Sequence, residues 1–179
     1  AGIVEYVASD ETIDSYGEVI RAKGWKFDRF QKNAPFVDSH QYDKVDCLLG
    51  SVIDFKIDGS RLIETVQWAI DVPSNTRARI GWDMTRAGYL KAVSVGFIPI
   101  RVVSRWDQDK TGWQQQLAEL GLHEEYGVRA VYVEHQQIEL SAVIVPANPN
   151  ALVNVGRAFK EGVIREADLE GGDKDPCGP

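Results

Sequence analysis

The segment 48–70, LLGSVIDFKIDGSRLIETVQWAI, carries the pattern that most constrains the fold of this chain. Ahead of its centre, charged side chains alternate with isoleucine and phenylalanine, which is the period of a β-strand. Asp58 and Gly59 then give a strong signal for a two-residue turn. We therefore predict a β-hairpin, with its return strand over 62–70.

Further strands are predicted along much of the chain. They are expected at 3–9, at the start of 35–43, at 91–103 and over 128–147, the last as one long bent strand or as two strands. The segment 91–103 is rich in β-branched residues, which favour strands.

Helices are fewer than strands. Residues 73–90 follow a helical period through Ile80 and Met84, with Ser74 or Asn75 as the N-cap. The other candidates are a short helix within 112–122, a closing helix over 148–164, and a short amphipathic helix or loop at 24–33 that packs Trp25, Phe27 and Phe30. Since strands and helices do not alternate as βαβ units, we expect an α+β fold, a small, mainly antiparallel β-barrel with peripheral helices.

Length and charge limit the class of protein. The 179 residues fit one domain, placed at 1–160, followed by an acidic tail at 161–179 that holds six acids and two bases. The net charge of −7 argues against a dedicated nucleic-acid-binding protein, which needs a basic face. No run approaches the roughly 18 apolar residues of a transmembrane helix, and the start of the chain lacks the features of a secretory signal.

The two cysteines, Cys47 and Cys177, lie far apart in the sequence. They resemble neither a disulfide framework nor a Cys-x-x-Cys metal motif. We therefore expect a reducing, cytosolic setting.

The strand around Ser94 has two unequal faces. Val93, Val95 and Phe97 form an apolar face that suits a core. On the other face, Ser94 and Gly96 leave the surface nearly bare, and a strand tolerates glycine where something approaches closely. Ser94 is therefore either a nucleophile that a substrate backbone can reach or an ordinary strand serine beside a bulge.

A second set of polar residues lies on the strand that runs into IELSAVIVPANP, at 138–149. Alternation places Glu139 and Ser141 on one face, with Gln137 and His135 further back along it. We expect this face either to form a polar network or to be solvated.

His40 lies in VDSHQYD, between Asp38 and Asp43. Imidazole titrates near neutral pH, so His40 can act as a general base. As an alternative, Asp38, Asp43 and Asp46 could bind a divalent cation together with His40, although their spacing matches no dedicated metal motif. His123 is expected to be exposed in a polar loop.

The chain thus offers a histidine, a serine and an acid in that order. A serine hydroxyl becomes a good nucleophile when a base takes its proton, and the base needs a third group to orient it. This order differs from the orders of the α/β-hydrolases and of the chymotrypsin-type proteases, and the Gly-x-Ser-x-Gly motif is absent from the sequence.

Four stretches resemble the prohead (procapsid maturation) serine proteases of tailed bacteriophages, whose fold is related to that of the herpesvirus assemblins. They are ASDETIDSYGEVI (8–20), NAPFVDSH (33–40), LKAVSVGFIPI (90–100) and IELSAVIVPANPNAL (138–152). Their order and spacing are similar to those of the family, and the last two stretches are the most specific.

The resemblance implies a serine endopeptidase that acts inside the procapsid, in the host cytoplasm. Its substrates would be the scaffolding protein or the scaffolding segment of the major capsid protein, and the protease itself. Ser94 matches the family nucleophile, His40 the family histidine and Glu139 an acidic position. His135 stays an alternative to Glu139, because the assemblins use a second histidine as third member. We expect no cofactor, no metal, no nucleic acid and no membrane partner, and leave a homo-oligomer open.

One detail departs from the family. The family histidine is often followed directly by an acid, whereas Gln41 follows His40 here. The segment 104–127 is predicted to be an insertion between the strands of Ser94 and Glu139.

Two other functions stay open. The first is a catalytically inactive, capsid- or scaffold-associated barrel of the same fold, against which the retention of all three candidate residues argues. The second is a metal-dependent hydrolase that uses the aspartates around His40.

Overall fold

The structure, a computed structural model, describes residues 2–107 and 110–154, with the side chain of Glu125 left out. The predicted acidic tail at 161–179, the domain boundary at 160 and Cys177 lie outside the described residues.

Strands dominate the described part of the chain. They are β1 (Ile3–Asp10), β2 (Glu18–Ile20), β3 (Trp25–Lys26), β4 (Pro35–Asp38), β5 (Leu48–Asp58), β6 (Arg61–Trp68), β7 (Ala92–Ser104) and β8 (Ala130–Val143). The helices are α1 (Thr76–Arg86) and α2 (Lys110–Leu120), and short 3-10 turns lie at Ala22–Gly24, Phe30–Lys32, Val45–Cys47 and Glu124–Tyr126. The predicted α+β class is confirmed.

The predicted hairpin is confirmed as β5 and β6, which pair antiparallel. Asp58 lies opposite Arg61, so Gly59 and Ser60 form the two-residue loop, one residue later than predicted. Gly59 has a φ of 61°, in the left-handed region that glycine adopts at low cost.

The long strand β8 organises the sheet. β7 pairs with it antiparallel, from Ala92 opposite Val143 to Ser104 opposite Ala130. β2, β3 and β4 pair with successive parts of β8 in parallel. The residues that follow β4 therefore come close to the same part of β8 as the start of β7.

The sheet runs in the order β1-β6-β5-β4-β8-β2, with β3 and β7 also paired to β8. It curls into a half-barrel, so the predicted barrel is confirmed only in this coarser form. The sheet is mainly antiparallel as predicted, and the short pairings of β2, β3 and β4 with β8 are the parallel exceptions. Parallel partners lie far apart in sequence, and no local turn signal announces them.

Two clusters of apolar side chains fill the fold. The larger lies in the curl of the sheet, where the Trp68 ring meets Phe36 edge-on with ring centroids 4.9 Å apart. The smaller packs Trp113 and Leu117 of α2 against Val19 and Val131. The segment 104–127 thus contributes a small core of its own.

Helix α1 is shorter than the predicted 73–90, and Asn75 caps it by accepting from the Ala78 N–H at 3.0 Å. Ile80 and Met84, which carried the helical period, are 65% and 45% exposed. The helix instead packs against the sheet through small residues. Gly81 lies against the Trp68 ring, where a Cβ atom would overlap the ring.

Within 24–33, predicted as a short helix or a loop, the chain forms β3 and a 3-10 turn, and Trp25 and Phe30 are buried as expected. The predicted closing helix needs correction at its start. None of the residues 148–154 is helical, and the rest of the predicted closing helix lies outside the described residues. The Asn148 side chain donates to Asp10 at 2.8 Å, which ties this segment to β1.

Neither helix of the described residues is long and apolar enough to cross a membrane.

Candidate active site

Ser94 and His40 line the same cleft, which has a volume of about 460 Å³. We call it the Ser94 cleft. It opens beside the ends of β4 and β8 and the start of β7, and Ser39, Val95 and Ile144 contribute to its walls. The topology explains this meeting, because β4 and β7 both pair with residues 140–142 of β8.

His40 is held in an unusual backbone conformation directly after β4. Ser39 and His40 have φ values of 49° and 60°, in the left-handed region that side chains with a Cβ seldom adopt. The His40 N–H donates to Ser141 Oγ at 2.8 Å, and the Ser39 N–H donates to the Ala142 carbonyl at 3.0 Å. Backbone strain of this kind is concentrated at functional sites, where the surrounding contacts sustain it.

The His40 imidazole contacts the Glu139 carboxylate directly. Nδ1 of His40 lies 2.5 Å from Oε1 of Glu139, and Ser141 Oγ donates to Oε2 at 2.7 Å. The hydrogen bond with Glu139 raises the pKa of His40, burial of the ring opposes the rise, and the carboxylate charge adds to it. When Nδ1 carries the proton of the neutral ring, the lone pair lies on Nε2, as a general base requires.

Ser94 lies opposite Ser141 in the pairing of β7 with β8, so both side chains project from one face. Directly opposed residues of antiparallel strands have Cβ atoms about 4.5–5.5 Å apart. Ser141 Oγ in turn lies 3.4 Å from Nδ1 of His40. The described residues contain no hydrogen bond between Ser94 and His40, although both line the Ser94 cleft. In enzymes, the hydrogen bond between a nucleophile and its base is often long until a substrate binds.

Gly96 has a different role from the one the sequence indicated. It lies opposite Glu139, and a Cβ on Gly96 would overlap Oε1 of that side chain. The group that approaches this glycine closely is therefore the Glu139 carboxylate, not a substrate backbone. The register also shifts between Gly96 and Phe97, so the bulge considered from the sequence is present as well.

The polar face of β8 is buried, so the expectation of a solvated face is wrong. His135, Gln137 and Ser141 are 0% exposed and Glu139 is 2% exposed. The curl of the sheet encloses this face, and the alternation of side chains along one strand cannot predict such burial.

His135 lies apart from His40 and makes none of its contacts. Its ring meets Trp25 edge-on at 4.2 Å, and among the described residues neither ring nitrogen has a hydrogen-bond partner. Burial lowers the pKa of His135 to about 4, which keeps the ring neutral. Of the two alternatives, Glu139 contacts the His40 ring and His135 does not.

A second carboxyl group, that of Glu64, lies near Glu139 in the interior. Burial raises the pKa of Glu64 to about 8, the Gln137 amide offsets part of the rise, and the Glu139 charge adds to it. Neither Glu64 oxygen has a hydrogen-bond partner of ordinary geometry among the described residues. Glu64 therefore keeps its proton at neutral pH.

Two of the aspartates near His40, Asp38 and Asp46, form ion pairs. Asp38 Oδ2 accepts from Arg77 at 2.6 Å, and Asp46 accepts from the same guanidinium group at 3.4 Å. The described residues contain no group of three or more His, Cys, Asp or Glu side chains that could hold a metal ion. Cys47 is a buried free thiol, and His123 is exposed as predicted.

Sequence reasoning named His40, Ser94 and Glu139 but did not assign a role to Ser141. Its hydroxyl joins the His40 backbone to the Glu139 carboxylate. The available signal was its place two residues after Glu139 on one strand face, and the parallel pairing with β4 was needed to interpret it.

Comparisons of the chain with family models, with curated proteins and with solved structures found no match.

Proposed function

We propose that this chain is a serine endopeptidase in which Ser94 is the nucleophile, His40 the general base and Glu139 the group that orients His40. The observation that carries the proposal is the direct contact of His40 Nδ1 with the buried Glu139 carboxylate, in a cleft that Ser94 also lines. A serine, a histidine and an acid are the three groups of a catalytic triad, which recurs on unrelated folds, and the contact of His40 with Glu139 supplies one of its two links.

The reaction is acyl transfer. Nε2 of His40 takes the Ser94 proton while Oγ forms a bond to the peptide carbonyl carbon. The same proton passes to the leaving amine as the C–N bond breaks, and water then hydrolyses the acyl-enzyme by the reverse sequence. The Glu139 carboxylate stabilises the imidazolium that forms between these steps, and the Ser141 hydroxyl holds that carboxylate in place.

The biological setting follows from the resemblance of four stretches to the phage prohead proteases. On that basis we place the enzyme inside the procapsid in the host cytoplasm, where it cleaves scaffolding protein or the scaffolding segment of the major capsid protein, and itself. On the same resemblance we infer an assemblin-like form of the curled sheet.

Co-expression with the cognate capsid and scaffolding proteins tests the proposal. Intact-mass measurements should show cleavage of these chains with the wild-type protein and none with Ser94→Ala, a loss of several orders of magnitude. Ser104→Ala, a change at the far end of β7, should leave cleavage unchanged. Equal cleavage by Ser94→Ala would refute the nucleophile, and no cleavage by folded wild-type protein would favour the inactive barrel.

A further inference from the structure

One wall of the Ser94 cleft carries two carboxylates. Asp14 and Glu18 line the cleft together with Ser9 of β1, and we call these three residues the acidic wall. The Asp14 carboxylate is fixed by the N–H groups of Tyr16 and Glu18, which donate to Oδ1 at 2.8 and 2.9 Å. The carboxylate of Asp14 in the acidic wall is therefore held in position by the backbone.

These carboxylates have no cationic partner. The cleft lining contains no lysine or arginine among the described residues, and neither Asp14 nor Glu18 forms an ion pair within that part of the chain. Glu18 Oε1 accepts from the Tyr132 hydroxyl at 3.0 Å. Burial and the charge of Asp14 raise the pKa of Glu18, while the Tyr132 hydrogen bond opposes the rise.

Ser9 supplies an independent observation at the acidic wall. It is 1% exposed, and its hydroxyl has no hydrogen-bond partner among the described residues. Buried hydroxyl groups are normally hydrogen-bonded, so one that lines a cleft without a partner indicates a place for a bound polar group. The register of β1 shifts between Val7 and Ser9, and such bulges often re-aim a side chain next to an active site.

We propose that the acidic wall binds a basic side chain, lysine or arginine, of the substrate peptide within a few residues of the scissile bond. This inference rests on the proposed endopeptidase function and adds its substrate preference. The cation would pair with the two carboxylates, and its remaining N–H group would donate to Ser9. Val95 and Phe97 line the same cleft and suit the methylene part of a basic side chain.

A synthetic peptide library that varies every position, read by mass spectrometry, tests the preference directly. Wild-type cleavages should concentrate at one fixed offset from lysine or arginine. The double variant Asp14→Asn, Glu18→Gln keeps the acceptor oxygens that hold the local turn but removes both charges. Its enrichment for basic residues should fall by about tenfold or more, the effect of losing a charge-assisted hydrogen bond. Asp58→Asn, at the distant hairpin loop, should keep the wild-type preference.

The possible failures are distinguishable. Ser94-dependent cleavage without enrichment for basic residues would overturn the inference and leave the endopeptidase function intact. An unchanged preference in the double variant would do the same. Absence of any Ser94-dependent cleavage would overturn the proposed function and this inference with it.

Discussion

At the scale of residues, three side chains and one backbone amide form the hydrogen-bonded network around His40 in the candidate site. Glu139 contacts the His40 ring, and Ser141 contacts both the Glu139 carboxylate and the His40 N–H. The Ser141 hydroxyl thus holds both the Glu139 carboxylate and the left-handed backbone of His40 in place. The neighbouring Glu64 keeps its proton, because burial raises its pKa to about 8.

Glu139→Gln should change the pH dependence of peptide cleavage. The base must be neutral to act, so activity rises as the pH passes upward through the raised pKa of His40. Without the carboxylate that pKa falls towards its ordinary value, so the rising limb of kcat/KM should move to lower pH. The maximal rate should fall by about 10²–10⁴-fold, the usual effect on acid–base catalysis.

Glu134→Gln is the matched control, because that carboxylate lies on the same strand and pairs with Lys26 at 3.2 Å. Its pH profile should equal that of the wild type. A rising limb that stays in place in Glu139→Gln would show that Glu139 does not set the pKa of the base.

The sequence nominated the candidate residues but did not indicate their contacts. His40, Ser94 and Glu139 were named from the residue types that acyl transfer needs together with the resemblance to the prohead proteases. The role of Ser141 depends on β4 pairing in parallel with β8, between segments about a hundred residues apart, and the sequence carries no local signal for that pairing.

The pairing of β7 with β8 governs the site at the scale of elements. It places Ser94 opposite Ser141 and Gly96 opposite Glu139, so the bare face of one strand accommodates the polar side chains of the other. Alternation placed Ser94 with Gly96 and Glu139 with Ser141 correctly, but it put Phe97 on the wrong face, because the bulge after Gly96 brings Phe97 opposite Gln137. It could not predict that these two pairs face each other, because register depends on where two distant strands align.

Gly96→Ala should disable the site while leaving the nucleophile and the base in the chain. The added methyl group displaces the Glu139 carboxylate from Nδ1 of His40. We expect kcat/KM to fall by about 10²-fold, the effect of a misplacement near 1 Å in an active site. Peptide cleavage and a denaturant unfolding curve should be measured together, with Ile98→Ala as an exposed control on the same strand. Wild-type activity in Gly96→Ala would contradict the orienting role of Glu139.

At the scale of the whole molecule, the curled sheet turns a polar strand face into a buried network and a cleft. The hairpin, the longer strands and the α+β class were predictable because turn signals and period-two patterns are local, whereas the short strands β2 and β3 were not predicted. The burial of His135 and Gln137 was not predictable, since a polar face is enclosed only when distant strands curl over it. The buried face of α1 could not be predicted for the same reason, because it depends on the contact of small helix residues with Trp68 on a distant strand.

The central claim is that His40 activates Ser94, and labelling with a fluorophosphonate tests it without any assumption about the substrate. Peptide mapping of the labelled wild-type protein should find one adduct, on Ser94. The Ser94→Ala variant should carry no adduct. His40→Ala should slow labelling by about 10²-fold or more, as expected when a general base is lost. Labelling of Ser94 at the wild-type rate in His40→Ala, or no adduct on Ser94 in folded wild-type protein, would contradict the account.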